Sequence, residues 1–335
     1  MVWATMSKVP QDYRVVQALC LLCTWPLPTN STSTDPTFMF CGLMMKIAMQ
    51  IGLHRPSHAQ DFARSHLQLR DEDIKDRLRT WTACNIVSQS VSTGYGQPSD
   101  TLYDATLTPQ HEEGKETYLV PEDLRTRLEL EKFSDKITKA LYSNKSASND
   151  PVSEEKGPLV ARMLWQDLQE LERRVKRTGE ISTWDEIHMW AVRLHLRLRT
   201  FFDSPRSPSY REDLIELYFT TKHFLEAALN QDGLGLNYAP NYIMQLMLAG
   251  GFCLLKLLNS FFAIPLERSE AQSLFARTVW AIRAMSATDN DLPQRLTEVL
   301  AQLWLAWGAG MPKQRDDGSS SSAAGDIDSS LQLQL

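Results

Sequence analysis

Apolar residues in this 335-residue chain return at three- and four-residue steps along almost its whole length, and no run sustains a two-residue alternation. That period predicts helices, because positions three and four apart share one face of a helix, whereas a half-buried strand needs every second residue apolar. Leu292, Leu296, Val299, Leu300, Leu303, Trp304 and Trp307 mark one such stripe; Leu159, Met163, Leu164, Leu168, Leu171 and Val175 mark another. Each stripe must be covered by a neighbour. The expected fold class is all-α, a single large irregular helical bundle with a disordered C-terminal tail.

Punctuation supports the same reading. Thr183-Trp-Asp-Glu186 and Ser209-Tyr-Arg-Glu212 read as capping boxes, and the acidic run Asp71-Glu72-Asp73 suits the positive end of a helix dipole. Gly52 is expected to end the run Phe38 to Ile51, with Pro56 preventing its resumption; Gly179 to end the helix from Leu159; Gly233 and Gly235 to end the one from Tyr210. Residues 94–117 read as a long loop, 143–158 as a flexible linker, 1–10 as a fraying start and 311–335 as a low-complexity tail, leaving 11–310 for the bundle.

Charge narrows the function. Thirty-five Lys and Arg stand against 41 Asp and Glu, a formal charge of −6, which is the wrong sign for a surface that neutralises several phosphates. The basic cluster Arg173-Arg174-Val175-Lys176-Arg177 reads as a solvated face near a helix C-terminus. Five cysteines, at 20, 23, 41, 84 and 253, lack disulfide-scaffold spacing and favour a reducing compartment, and no signal peptide is evident at the start. The most apolar stretch, Tyr242 to Ile264, contains Gln245, Lys256 and Asn259, so a buried core helix is expected and no membrane.

Constellations that carry chemistry fall short. Cys20 and Cys23 have zinc-ligand spacing without a second pair; His54 and His58 are separated by Pro56; Asp185 and His188 supply half of a di-metal element. No His-Glu-x-x-His, Gly-x-Ser-x-Gly or Gly-x-x-x-x-Gly-Lys occurs. No catalytic or metal residue is assigned, and no cofactor.

Four stretches in order do form a pattern: Gln17 to Trp25, Gly42 to Arg55, Arg77 to Trp81, and Ser90 through Gly96 to Pro98. Together they resemble the middle homology region of fungal zinc-cluster transcription factors, with Trp25, Gly42, Gly52, Leu53, His54, Arg55, Arg79, Trp81, Gly94, Gly96 and Pro98 as signature positions. Residues Ala284 to Trp304 resemble the closing helix of the branch that includes the leucine-biosynthesis activator and weak-acid-response regulators. The chain departs from the pattern at Ser88-Gln89, where the family has an acidic residue, and at Gly96-Gln97-Pro98, where it has Gly-Arg-Pro; a familiar charge pair is thereby put in doubt.

The resemblance implies an all-helical regulatory module in the nucleus, with the cytoplasm as fallback. It would answer to a small-molecule effector and work with transcription machinery or co-regulators, with dimers in full-length members. Zinc would belong to the six-cysteine DNA-binding cluster, which these residues lack, so no direct DNA binding is expected; a truncated product, an incomplete gene model or a paralogue without DNA binding are the expected origins. Effector contacts are sought on the helix from Asp71 through Ser92 and the one from Asn241 to Phe262, at Trp81, Gln89, Met244 and Lys256. An acidic helical adaptor that recognises a partner peptide is the alternative, and an enzyme of unrecognised class a remote one.

Overall fold

The computed structural model describes residues 7–63, 66, 68–104, 106–108, 119–142, 151–177, 179, 181–230, 235–259 and 268–309; the side chains of 151–156 and 307–309 fall outside that description. Among the described residues every regular element is helical, as the periodicity requires. The α-helices are α1 (Tyr13–Thr24), α2 (Thr37–Gln50), α3 (Asp71–Tyr95), α4 (Glu122–Ile137), α5 (Pro151–Arg177), α6 (Thr183–Arg197), α7 (Tyr210–Leu229), α8 (Asn241–Leu258), α9 (Arg268–Ala284) and α10 (Leu292–Ala309).

Local signals explain several of the ends. Asp12 Oδ1 accepts from the Arg14 amide at 2.9 Å to start α1, and Asp73 Oδ2 accepts from the Arg70 amide at 3.0 Å to start α3. Both α2 and α3 close through a left-handed glycine. Gly52 (φ 75°) donates to Met49 O while Leu53 donates to Ala48 O, and Gly96 (φ 63°) donates to Thr93 O while Gln97 donates to Ser92 O. This paired pattern satisfies the last carbonyls and needs a residue without a Cβ at the left-handed position. At Gly52 a Cβ would also stand 2.3 Å from the Phe62 ring. We therefore expect Gly52→Ala to lower unfolding free energy in urea by about 1–2 kcal/mol or more, the cost of one left-handed non-glycine residue before any ring displacement.

Several expected boundaries shift. The cap of α6 is Ser182, whose Oγ accepts from the Asp185 amide at 3.0 Å, one residue before the predicted box; Ser182 is extended (φ −65°, ψ 152°) and can fold its side chain back. Ser209 makes no side-chain cap because its backbone is already helical (φ −88°, ψ −7°), and its carbonyl takes the Asp213 amide instead. Helix α7 ends at Leu229, before Gly233, which lies outside the described residues.

Helix α5 starts at Pro151, so the linker read over 143–158 is helical in its second half; 143–150, like 1–6, 109–118, 260–267 and the tail 310–335, lie outside the description. Gly94 and Tyr95 of the expected loop belong to α3, and Leu107 is buried. Of the two stripes, Leu159, Met163 and Val299 are exposed: at the start of α5 the covered face runs through Val160 and Ala161 instead, and reaches the stripe at Leu164.

Apolar faces meet in three clusters. The first joins α1, α2 and α3 around Val16, Met44, Met45, Leu78, Trp81 and Cys84. The second joins α4, α5 and α6 around Leu130, Ile137, Leu168 and Val192. The third joins α6 through α10 around Leu217, Phe224, Met247, Leu254, Phe275 and Leu300. Helix α4 contributes to the first two and α6 to the last two, so these helices are the seams of the molecule. Helix α8 is long and apolar enough to cross a membrane, yet twelve of its eighteen residues are buried against its neighbours, the expected core helix. The segment after α1 is tied to the far end of the chain: Leu292 N–H donates to Thr29 O at 2.7 Å, and Arg295 Nη1 to Asn30 O at 2.7 Å.

Candidate functional site

Where the two seam helices meet α3, α8 and the end of α1, they line a cavity of about 300 Å³ that opens to solvent. Its walls are mostly apolar, from Ile86 and Val91 of α3, Leu124 of α4 and Trp184 of α6. A few polar groups converge on them, the composition expected of a small-molecule site. Arg127 Nη2 stands 2.6 Å from Glu131 Oε1 one turn along α4, a pair whose side chains are 14% and 2% exposed. Ser90 Oγ accepts from Arg127 Nη2 at 2.9 Å and lies 2.9 Å from Glu131 Oε1. Burial pushes the Glu131 carboxyl up from its ordinary range, against the opposing pull of Arg127 and Ser90. The guanidinium carbon of Arg127 is 5.5 Å from the Tyr242 ring centre.

Opposite, the His188 ring stacks on Tyr242 with centroids 6.4 Å apart and planes 11° apart. His188 Nδ1 is 2.6 Å from Trp184 O, so that nitrogen carries the hydrogen, since a carbonyl only accepts. His188 Nε2 and Tyr242 Oη are buried with no hydrogen-bond partner. Burial also pushes the Tyr242 phenol up, which keeps it protonated and able to donate. A larger cleft of about 520 Å³ between α5, α6 and α7 is lined instead by charges that pair with one another, Arg197 with Asp213 and Glu216, and Arg199 with Asp203.

The structure scatters the four residues singled out from the sequence. Trp81 is fully buried in the first cluster, edge-on to His54 at 6.1 Å. Gln89 is fully buried, its Nε2 donating to Thr93 Oγ1 at 3.1 Å and its carbonyl oxygen without a partner. Met244 lines a smaller neighbouring cavity of about 250 Å³ beside Trp25. Lys256 is exposed, with Nζ 4.3 Å from the Phe201 ring centre. None of the four lines the 300 Å³ cavity, although both helices searched, α3 and α8, supply its walls. Arg127, His188 and Tyr242 were missed; the one signal on offer was Arg127-x-x-x-Glu131 inside an apolar stripe.

Thiols and imidazoles form no metal centre: no cluster of three or more potential ligands occurs among the described residues. Cys20 and Cys23 face Cys84 and Cys41 across α1, α2 and α3, with Cys20 Sγ 3.7 Å from Cys84 Sγ, and all five cysteines are buried free thiols. His54 and His58 diverge, the first against Phe62 and Trp81, the second on the surface beside Ser57.

Signature positions prove to be joints of the fold. Gly52 and Gly96 end helices; Leu53 is fully buried; Trp25 Nε1 donates to Tyr238 O at 3.0 Å; Arg79 forks onto the Asp123 carboxylate at the start of α4. Gly94 lets α3 approach α8, since a Cβ there would meet Gln245 Oε1 at 1.9 Å, whereas Gly42 has ordinary space and Arg55 and Pro98 face solvent. Ser88 and Gln89 are both buried and Gln97 is exposed, so these departing positions form no charge pair.

Comparison with known proteins finds relatives over part of the chain. The chain is 28% identical over 159 residues to the regulatory protein LEU3 of Saccharomyces cerevisiae, covering 47% of this chain and 18% of that one. It is 27% identical over 227 residues to the putative transcription factor SEF1 of Kluyveromyces lactis, covering 66% and 18%, and 35% identical over 92 residues to the transcriptional regulatory protein SEF1 of Candida albicans, covering 27% and 10%. The chain thus spans less than a fifth of the length of the curated relatives it matches. No solved structure matches it. Residues 3–203, more than half of the chain and the whole of α1 to α6, match the fungal specific transcription factor domain, and the chain belongs to that family.

Proposed function

We propose that the chain is the effector-responsive regulatory domain of a fungal transcription factor, acting in the nucleus on RNA polymerase II transcription, with neither catalysis nor DNA binding of its own. The observation that carries this reading is the 300 Å³ cavity, walled by five helices from both sides of the seams α4 and α6. A ligand there touches all of them at once. If it prefers one arrangement of the seams, it shifts a two-state equilibrium, and a coupling of about 1–3 kcal/mol changes exposure of a co-regulator surface several-fold or more.

Thermal unfolding of the purified chain against branched-chain amino-acid intermediates, weak organic acids and uncharged aromatics tests it. A saturable rise in melting temperature that follows mass action is expected for at least one class. A cooperative transition that no compound shifts would leave a protein-binding module instead. Salt-sensitive, sequence-specific binding of duplex DNA by the same sample would contradict the absence of a DNA-binding role.

A further inference from the structure

The cleft of about 520 Å³ between α5, α6 and α7 shares no wall residue with the 300 Å³ cavity, and its charges are open to solvent. Arg197, the last residue of α6, has its guanidinium carbon 4.3 Å from the centre of the Trp165 ring of α5. Asp213 and Glu216, three residues apart on one face of α7, each reach it at 3.6 Å, Asp213 Oδ1 at Nη1 and Glu216 Oε2 at Nη2. Both spacings are longer than a hydrogen bond. Arg197 Nε is buried with no hydrogen-bond partner, whereas Nη1 and Nη2, likewise unbonded, keep accessible surface in the cleft. The side chains of Asp213 and Glu216 are 33% and 57% exposed, so a ligand in the cleft reaches them too.

The open charges are sorted by wall. Guanidiniums come from α5 and α6, at Arg162 and Arg197, and carboxylates from α7, at Glu212, Asp213 and Glu216. Arg199 and Asp203, 2.9 Å apart, occupy one another. A single ion in the cleft is therefore drawn to one wall and repelled by the other. A molecule with both charges side by side is drawn to both. In an α-amino acid the nitrogen and the carboxyl carbon are about 2.5 Å apart. Its carboxylate can accept from Arg197 Nη1 while its ammonium donates to Asp213 Oδ1, each at about 2.8 Å, across a gap of 3.6 Å. Trp165, Leu196, Ile215, Ala161 and Pro158 supply apolar wall for the side chain.

We propose that this cleft binds a free α-amino acid with a large apolar side chain, its carboxylate on Arg197 and its ammonium on Asp213 and Glu216. This site is additional to the effector cavity and does not rest on it. The probes are L-phenylalanine, 3-phenylpropanoate, which lacks the ammonium, and 2-phenylethylamine, which lacks the carboxylate. Isothermal titration of the full chain should show phenylalanine binding about tenfold or more tightly than either, the worth of one charge-assisted hydrogen bond. Asp213→Asn should bring the phenylalanine-to-phenylpropanoate ratio down several-fold, and Glu216→Gln should act in the same direction. Both side chains reach solvent and make no hydrogen bond to Arg197, so both variants should fold, with cooperative unfolding as the check.

Three results would overturn the proposal: either singly charged analogue binding as tightly as phenylalanine, a ratio that neither variant moves, or no saturable binding of phenylalanine. Each of these leaves the 300 Å³ cavity untouched, since none of the groups tested lines it. Conversely, a metabolite panel that fails at the cavity leaves this charge-matched site standing if the three probes rank as expected.

Discussion

Replacing Arg127 by methionine is expected to lower the unfolding free energy in urea by about 3–5 kcal/mol at pH 7, the largest loss from any single polar substitution considered for this fold. The methionine keeps the stem that packs in the cavity wall and removes only the guanidinium. What remains is Glu131, 2% exposed, with its cation gone and Ser90 as its one hydrogen-bonding neighbour. Removing one partner of a buried pair costs more than the pair contributes, because the surviving charge is stranded. Glu131→Gln should cost less, about 1–2 kcal/mol, since Arg127 is 14% exposed and can turn its charge toward solvent.

Arg79→Met is the control. Its pair with Asp123 is half exposed on both sides and contributes about 0–1 kcal/mol. The sign of the pH effect follows from Glu131. A carboxyl whose folded pKa lies above its unfolded value binds a proton on folding, so the folded state gains relative stability as pH falls through the folded value. Burial already holds Glu131 up, and Arg127 is the main force holding it down. Without Arg127 the deficit should therefore shrink when urea unfolding is repeated at pH 5. A deficit no larger than that of Arg79→Met would mean that the pair is solvated and the cavity open.

The helices were legible because their signal is local. A run such as Leu164, Leu168, Leu171 and Val175 fixes a helix and its buried face together, and Gly52 and Gly96 mark ends through a conformation that other residues avoid. Boundaries that hinged on one side chain were less secure: Ser209 has the right sequence for a cap, but its backbone was already committed to the helix. The site was barely legible. Its wall is a meeting of Arg127, His188 and Tyr242 from three helices, and nothing in any one helix says which of its polar residues will face the other two. Helices α3 and α8 both line this cavity, whereas Trp81, Gln89, Met244 and Lys256 do not. A fully buried Trp81 and a Gln89 bonded within its own helix look, in sequence, no different from contacts to a ligand.

The same seam that lines the cavity should also make the domain sensitive to acid. His195 lies on α6 two turns beyond His188, stacked on Tyr142 with centroids 5.6 Å apart and planes 6° apart, and its Nδ1 is buried with no partner. Burial pushes its pKa down from 6.5 to about 4. The unfolded chain therefore takes up a proton at this residue that the folded chain refuses, and the stability it contributes is complete above pH 6.5 and is lost as pH falls from there toward 4. The slope approaches about 1.4 kcal/mol per pH unit, so about 2 kcal/mol should go between pH 6.5 and 5, and about 3 kcal/mol by pH 4.

His54, also pushed down by burial, acts in the same direction, whereas Glu131 and Asp104, both pushed up, work against it as pH nears the carboxyl range. His195→Phe keeps the stack, and Tyr142 donates to the backbone carbonyl of residue 195, which the substitution leaves in place. The variant should be at least as stable as the parent at pH 7, because it deletes an unpartnered buried nitrogen, and from pH 6.5 to 5 it should lose clearly less stability than the parent, keeping only the slope that His54 leaves. If parent and variant fall together over that interval, the acid sensitivity belongs to other groups. If the parent falls more steeply than the variant, His195 on α6 carries that part of the acid sensitivity, and ligand affinity at the cavity should fall with it.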